Sequence, residues 1–230
     1  MEIIKNKALL LKLRHPQQVT TVIPKSKEVN GKVLVKWGVD ETHVLKNLNI
    51  NVPSPINGRY DWPGQYKPFK HQKTTSAFLT MNRKAFCFNE QGTGKTASAI
   101  WASDFLIKQG IIKRVLVICP LSIMDSAWRN DLFSFAMHRS VDVAYGSADK
   151  RRKIINSGAE YVIINYDGVA IVADAISSGG FDLIIVDEAT HYKNAQTTRW
   201  KTLNKVLKPD TWLWMMTGTP AAQSPLDAYG

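Results

Sequence analysis

Cysteine is scarce in this sequence, with two among 230 residues, and histidine is little commoner, with five. Cys87 and Cys119 each lie in an apolar run that reads as a strand. A bond between them needs a coincidence of strand placement, so buried free thiols in a reducing compartment are the reading. Two cysteines and five scattered histidines give no metal-cluster spacing. Long apolar runs are missing as well. The ALLL of residues 8–11 stands among Lys5, Lys7 and Lys12, too short for a signal-peptide core or a bilayer span. The expectation is a cytoplasmic protein with no membrane partner. Acidic side chains are in deficit too: 30 Lys/Arg face 19 Asp/Glu, a net charge of +11. That balance favours a polyanionic partner such as nucleic acid. Residues 1–60 hold ten Lys/Arg against four Asp/Glu, so the excess is concentrated at the N-terminus.

What is present describes an ordinary globular chain, 44% hydrophobic and 21% charged, long enough for a full α/β core and a smaller module. Residues 1–52 read as a small β-rich accessory module. ALLLKL, VTTVI and KVLVKW are strand-like runs broken by Pro16, Pro24 and the Asn30-Gly31 pair. In the third run Val33, Val35, Trp37 and Val39 alternate with Leu34, Lys36 and Gly38, the pattern of a half-buried strand. Residues 53–68 form a proline-rich connector whose Tyr60, Trp62 and Tyr66 are expected to lie against protein. A helix is predicted from Phe69 to Asn82, with Ala77, Phe78 and Met81 available for the core.

From Ala85 onward strands and helices alternate. Six apolar strand candidates, AFCFN, RVLVICP, VDVAYG, YVIINY, FDLIIVDEA and TWLWMMTG, are separated by helical stretches. SIMDSAWRNDLFSFA reads as one helix capped by Ser122 with Asp125 three residues on. The predicted fold of residues 69–230 is α/β, a mostly parallel sheet with helices on both faces. Ligands of such sheets sit at the carboxyl ends of the strands.

Two stretches at strand ends carry chemistry. FCFNEQGTGKTA, residues 86–97, runs from a strand through a glycine turn into a helix. That order suits a phosphate cradle built from the backbone of Glu90, Gln91, Gly92, Thr93 and Gly94, with Lys95 reaching the outer phosphates and Thr96 binding magnesium. The same letters fit a glycine turn capping a helix, and Asn89 stands where the pattern usually has glycine. Phe181 to Val186 ends in Asp187-Glu188. Acids directly after a buried strand lie at the ligand edge, Asp187 to hold magnesium and Glu188 to orient and deprotonate the attacking water. Thr217, Gly218, Thr219 and Pro220 follow the last strand, where they can connect a nucleotide site to what lies across the cleft.

Taken together these segments resemble the first RecA-like motor lobe of superfamily-two helicases, and within them the Snf-type duplex-DNA translocases. The resemblance covers residues 66–230. Phe69 and Gln72 match the adenine-reading segment, and Glu90 to Thr96 the phosphate motif. ICPLSIMDSAW is similar to the next motif, in which Pro120, Leu121 and Ser122 face the nucleic acid and Trp128 packs the following helix. INYD, residues 164–167, matches a nucleic-acid-side strand end. DEAT with His191, Lys193 and Asn194 is similar to the family's acid box and its trailing residues, and TGTP to its third motif. The resemblance implies a P-loop ATPase using ATP and Mg2+, with Asp187, Glu188 and Lys95 catalytic. It also implies contacts to nucleic acid from Ser122, Arg129, Asn165 and Tyr166.

Two departures from the family pattern stand out. Thr190 takes the place of the usual histidine, with His191 one position later, and the sequence ends at Gly230, just past the third motif. The expectation is an N-terminal piece of a longer protein, with the arginine finger on a second RecA-like lobe beyond it and weak hydrolysis by this lobe alone. Alternatives within the sequence reading are an RNA-directed helicase, a restriction-enzyme motor subunit, and a nucleic-acid-binding module with a vestigial ATP site. The Lys150 to Lys153 run is open between a nucleic-acid contact and a solvated helix surface.

Overall fold

The computed structural model describes residues 1–192, 194 and 196–219. Lys193 and Pro220, both quoted above, lie outside the described residues. The chain divides into two compact units, Met1–Asp61 and Trp62–Gly230.

The first unit is a four-stranded antiparallel sheet, β1 (Glu2–Ile4), β2 (Ala8–Leu11), β3 (Lys27–Val29) and β4 (Lys32–Lys36), in the order β1-β2-β4-β3. Three helices accompany it: α1 (Gln17–Val22), α2 (Val39–Asn47) and α3 (Ile56–Arg59). Period-two patterning sets the sheet's buried face: Leu9, Leu11, Val33 and Val35 enter one core with Val19, Ile23 and Leu45. VTTVI, expected as a strand, is instead the helix α1. Its β-branched residues favour a strand locally, but Pro16 opens the helix at αR dihedrals. Val19 and Ile23, four apart, then bury on one helical face. Helix α2 carries no strong apolar stripe and was not predicted.

The second unit opens with helix α4 (Lys70–Thr80) and continues as a six-stranded sheet, all parallel among the described residues. Its strands are β5 (Lys84–Cys87), β6 (Val115–Cys119), β7 (Val141–Ala144), β8 (Tyr161–Asn165), β9 (Leu183–Asp187) and β10 (Trp212–Met216), ordered β5-β10-β9-β6-β8-β7. All six predicted strands are present. Both faces are covered, which is why β6, β9 and β10 are buried at every position. Helices α7 (Ala148–Ile155), α8 (Tyr166–Ile171), α9 (Ala173–Ser178) and α10 (Thr198–Val206) share one core with Leu116, Val162, Ile184 and Leu213. On the opposite face lies α5 (Lys95–Lys108), where the Ser103 hydroxyl is 2.8 Å from the Tyr161 hydroxyl.

Three local expectations change. Phe78 is 47% exposed while Ser76, Leu79 and Thr80 are buried, because the face of α4 that meets α5 is fixed by the bond from the Ser76 hydroxyl to the Ser98 carbonyl (2.9 Å). Tyr66 is 60% exposed, although Tyr60 and Trp62 are buried. The single helix after β6 is broken into a 3-10 turn (Leu121–Ile123), a π turn (Met124–Arg129) and helix α6 (Asn130–Phe135). Ser122 does not cap it; the Ser122 carbonyl accepts from the Ser126 hydroxyl at 2.8 Å.

Candidate nucleotide and nucleic-acid site

The sheet register brings the two chemical stretches together. Met216 of β10 lies between Cys87 of β5 and Asp187 of β9, so the residues after these three strand ends are neighbours at one edge. The glycine loop and the acid pair are two strand spacings apart, roughly 10 Å.

The loop from Asn89 to Gly94 is held in shape by its surroundings. Gly92 and Gly94 both have φ +75, the left-handed region glycine enters without a Cβ clash. The Asn89 amide donates to the Thr75 hydroxyl (2.8 Å) and the Thr93 hydroxyl to the Glu90 carbonyl (2.7 Å). The Thr93 carbonyl takes the Gln72 amide (3.3 Å) and lies 3.0 Å from His71 Nε2. Gln72 also accepts from the Phe69 backbone N–H at 2.9 Å. Phe69 is exposed, stacked on His71 with centroids 5.8 Å apart and planes 10° from parallel. A cleft of about 790 Å3 opens here, lined by Lys70, His71, Thr74, Phe88, Glu90 and Thr93 among others. His71 and Thr75 were not singled out in the sequence, which offers no spacing rule linking them to a loop some twenty residues on.

Lys95, a residue only 9% exposed, opens α5, and its ammonium folds back to the carbonyls of Asn89 (2.9 Å) and Glu90 (3.0 Å). Those are the contacts an anion would replace. Gly218 lies directly against this loop: a Cβ there would come within 2.7 Å of Gln91 Cγ and 3.5 Å of Lys95 Nζ. Thr217 is buried, its N–H bonded to the Cys87 carbonyl (3.1 Å), and its hydroxyl accepts from the Thr219 N–H (3.1 Å). Segment 217–219 thus joins the ends of β10 and β5 beside the glycine loop.

Asp187 is buried. Burial pushes its carboxyl pKa up, opposed by hydrogen bonds from Trp128 and the Glu188 N–H and by the charge of Lys95. Asp187 Oδ2 accepts from the Trp128 indole (2.9 Å) and Oδ1 from the Glu188 N–H (3.0 Å). Each oxygen accepts one bond and so retains acceptor capacity. Glu188 adopts φ +51, a left-handed conformation costing a non-glycine residue about 1–2 kcal/mol. The Tyr166 hydroxyl donates to the Asp187 carbonyl and, at 3.3 Å, to that of Glu188, holding this turn.

A divalent cation of the magnesium type suits this donor set. The Asp187 carboxylate, accepting one hydrogen bond on each oxygen, is the hard oxygen donor that such an ion takes.

The side chains expected to meet nucleic acid divide. Ser122 is exposed, as is Arg129, which pairs with Asp125 at 3.2 Å. Asn165 is half-buried, its side-chain oxygen accepting from Arg151 (2.9 Å). Tyr166 is 7% exposed and lies beneath that surface. The Lys150–Lys153 run also splits: Arg151 is buried and bonds the carbonyls of Ala144 (2.7 Å) and Gly146 (2.9 Å), whereas Arg152 pairs with Asp174 at 3.3 Å.

Residues 65–230 match the SNF2-related domain, and the chain belongs to that family. It is 30% identical over 149 residues to putative protein p41 of Acyrthosiphon pisum secondary endosymbiont phage 1, covering 60% of this chain and 32% of that one. It is 26% identical over 196 residues to the DNA repair and recombination protein RAD54-like of Gallus gallus, covering 77% of this chain and 26% of that one. In fold it resembles the Sulfolobus solfataricus SWI2/SNF2 ATPase core solved in complex with dsDNA, with TM-score 0.64 and 24% identity over 72% of this chain and 35% of that one. The chain spans about a third or less of the length of these proteins.

Proposed function

We propose that residues 69–230 are the ATP-binding lobe of a motor that translocates on double-stranded DNA and hydrolyses ATP to ADP and phosphate. In this reading residues 1–52 are an accessory module and residues 53–68 their connector. The observation that supports it best is the juxtaposition of three segments at adjoining strand ends: the glycine loop with Lys95, the acid pair, and Gly218 against the loop.

The roles follow from chemistry. Phe69 and His71 offer a stacking surface and Gln72 an amide for the adenine base. Backbone N–H groups from Glu90 to Gly94, at the start of α5, receive the phosphates, and Lys95 exchanges its two loop carbonyls for phosphate oxygens. Thr96 and Asp187 would hold Mg2+, which when bound neutralises charge on the transferred phosphoryl group. Glu188, beside the metal ligand, orients water and accepts its proton. Ser122 in the turn after β6, Arg129 at the end of the π turn and Asn165 at the end of β8 would contact the DNA backbone, with little sequence information and strong salt dependence. A second lobe of the same kind would complete the catalytic site.

The test is ATP hydrolysis by the longest form of the protein, measured without nucleic acid and with duplex DNA, single-stranded DNA or RNA. Stimulation by duplex DNA is expected, and loss of at least about a hundredfold in Lys95→Ala, as for other removed transition-state contacts. Stimulation by RNA alone would overturn the DNA assignment. Activity indifferent to Lys95→Ala would remove the phosphate site.

A further inference from the structure

Two aromatic side chains tie the acid pair to the two segments at the proposed nucleic-acid edge. Trp128 is fully buried, and its indole N–H donates to Asp187 Oδ2 at 2.9 Å. It belongs to the π turn Met124–Arg129, an uncommon geometry that recurs at functional sites. The next residue, Arg129, projects outward with its side chain 59% exposed. Tyr166, at the start of α8, repeats the arrangement. Its hydroxyl donates to the carbonyls of Asp187 and Glu188, and the residue before it, Asn165, ends β8 half-buried, its side-chain oxygen accepting from Arg151. On each segment, then, a residue assigned to the nucleic-acid edge, exposed for Arg129 and half-buried for Asn165, is followed or preceded by a neighbour that grips residue 187 or 188. One grip holds the carboxylate and the other the backbone turn.

We propose that Trp128 and Tyr166 are positioning residues through which contact with nucleic acid sets the orientation of Asp187 and Glu188. The inference rests on the nucleotide and DNA assignments above. Rotating the π turn to engage a phosphate at Arg129, or through the preceding 3-10 turn at Ser122, displaces the indole, and the Asp187 carboxylate must follow or lose a buried hydrogen bond. That loss leaves a buried acceptor unsatisfied. Displacing the β8 end moves the Tyr166 hydroxyl, which holds Glu188 at its left-handed φ. The two segments therefore act on two different degrees of freedom of one site. Generic packing would not require either polar bond, since an apolar side chain of similar size fills the same space.

Coupling between sites is reciprocal for binding free energies, so the test reads affinity rather than turnover. Affinity for a fluorescent duplex is measured with and without a non-hydrolysable ATP analogue and Mg2+, in wild type, Trp128→Phe and Tyr166→Phe. The wild-type chain is expected to bind duplex at least roughly fivefold differently when the analogue is present, within the usual range of coupling. Each variant should bring that ratio to within about twofold of one while keeping measurable affinity for each ligand separately. A ratio unchanged in both variants, or a wild-type ratio of one, would overturn the inference while leaving the proposed function intact. Failure of the wild type to bind the analogue would instead overturn the function, and the inference with it. Tyr166→Phe removes one hydroxyl only, so it decides the matter if Trp128→Phe does not fold.

Discussion

Lys95, at the scale of single residues, is a buried lysine whose ammonium is held by two loop carbonyls. It is preorganised rather than free, since the side-chain entropy of a long cation is already lost before any anion arrives. Gly218 is the complementary case, needed for its missing Cβ. In Gly218→Ala the new carbon would meet Gln91 Cγ at 2.7 Å and the Gln91 N at 3.2 Å, pushing on the loop backbone. Overpacking of about 1–3 kcal/mol transmitted to the loop predicts roughly tenfold weaker nucleotide binding, since about 1.4 kcal/mol is one decade. Titration with a fluorescent nucleotide checks it, and unchanged affinity would show that segment 217–219 does not constrain the loop. The thiols make a second residue-scale prediction. Burial raises the pKa of both Cys87 and Cys119, so at pH 8 each stays a buried thiol rather than the reactive thiolate. A chromogenic disulfide reagent should find no fast-reacting thiol in the native chain and two in denaturant.

At the scale of elements, α5 carries charge into the interior. Asp104, buried on that helix, accepts from Arg139 Nε at 2.6 Å and lies 2.8 Å from His138 Nε2, while Arg139 Nη1 reaches Glu160 Oε1 at 2.6 Å. The network ties α5 to the segment after α6 and to the start of β8. Removing one member exposes the desolvation cost of the others. Arg139→Met should destabilise the fold by about 3 kcal/mol, the low end of the range for a broken buried pair. Urea unfolding would show a lower midpoint at an unchanged slope. A shift below about 0.5 kcal/mol would mean that His138 and Lys108, whose ammonium lies 3.5 Å from Asp104 Oδ2, hold the Asp104 charge unaided. The π turn belongs to this scale too. SIMDSAWRNDLFSFA reads as a capped helix because Ser122 and Asp125 have capping-box spacing, yet the Trp128 indole bonds Asp187 and the helix departs from regular geometry around it.

At the scale of the whole molecule, charge and fold are separable. The excess of Lys/Arg is concentrated in residues 1–60, which include the exposed Lys5, Lys7 and Lys12. If this unit supplies an accessory grip on DNA, replacing these three by glutamine lowers the slope of log affinity against log salt by roughly 2 to 3, about 0.9 per lost phosphate contact. An unaltered slope would make the unit a brace with lysines facing water. The prediction concerns binding only, since the phosphate loop and acid pair lie in the other unit.

The sequence by itself determined the parallel α/β sheet, because strands buried on both faces must be continuous apolar runs, and RVLVICP, YVIINY, FDLIIVD and TWLWMM are written that way. It also marked GTGKT, Asp187-Glu188 and Thr217 to Thr219 as chemical segments, since glycine turns and acids at the ends of such runs leave a local record. It misread VTTVI, where β-branched propensity lost to burial of Val19 and Ile23 on a helical face. What only the tertiary structure decided is what each marked residue touches. Trp128 meets Asp187 and Gln72 meets Thr93 across 59 and 21 residues of chain, and Gly218 meets Gln91 across the sheet edge. Such contacts are set by strand order, and the sequence carries period and propensity along the chain but not which strand ends lie side by side.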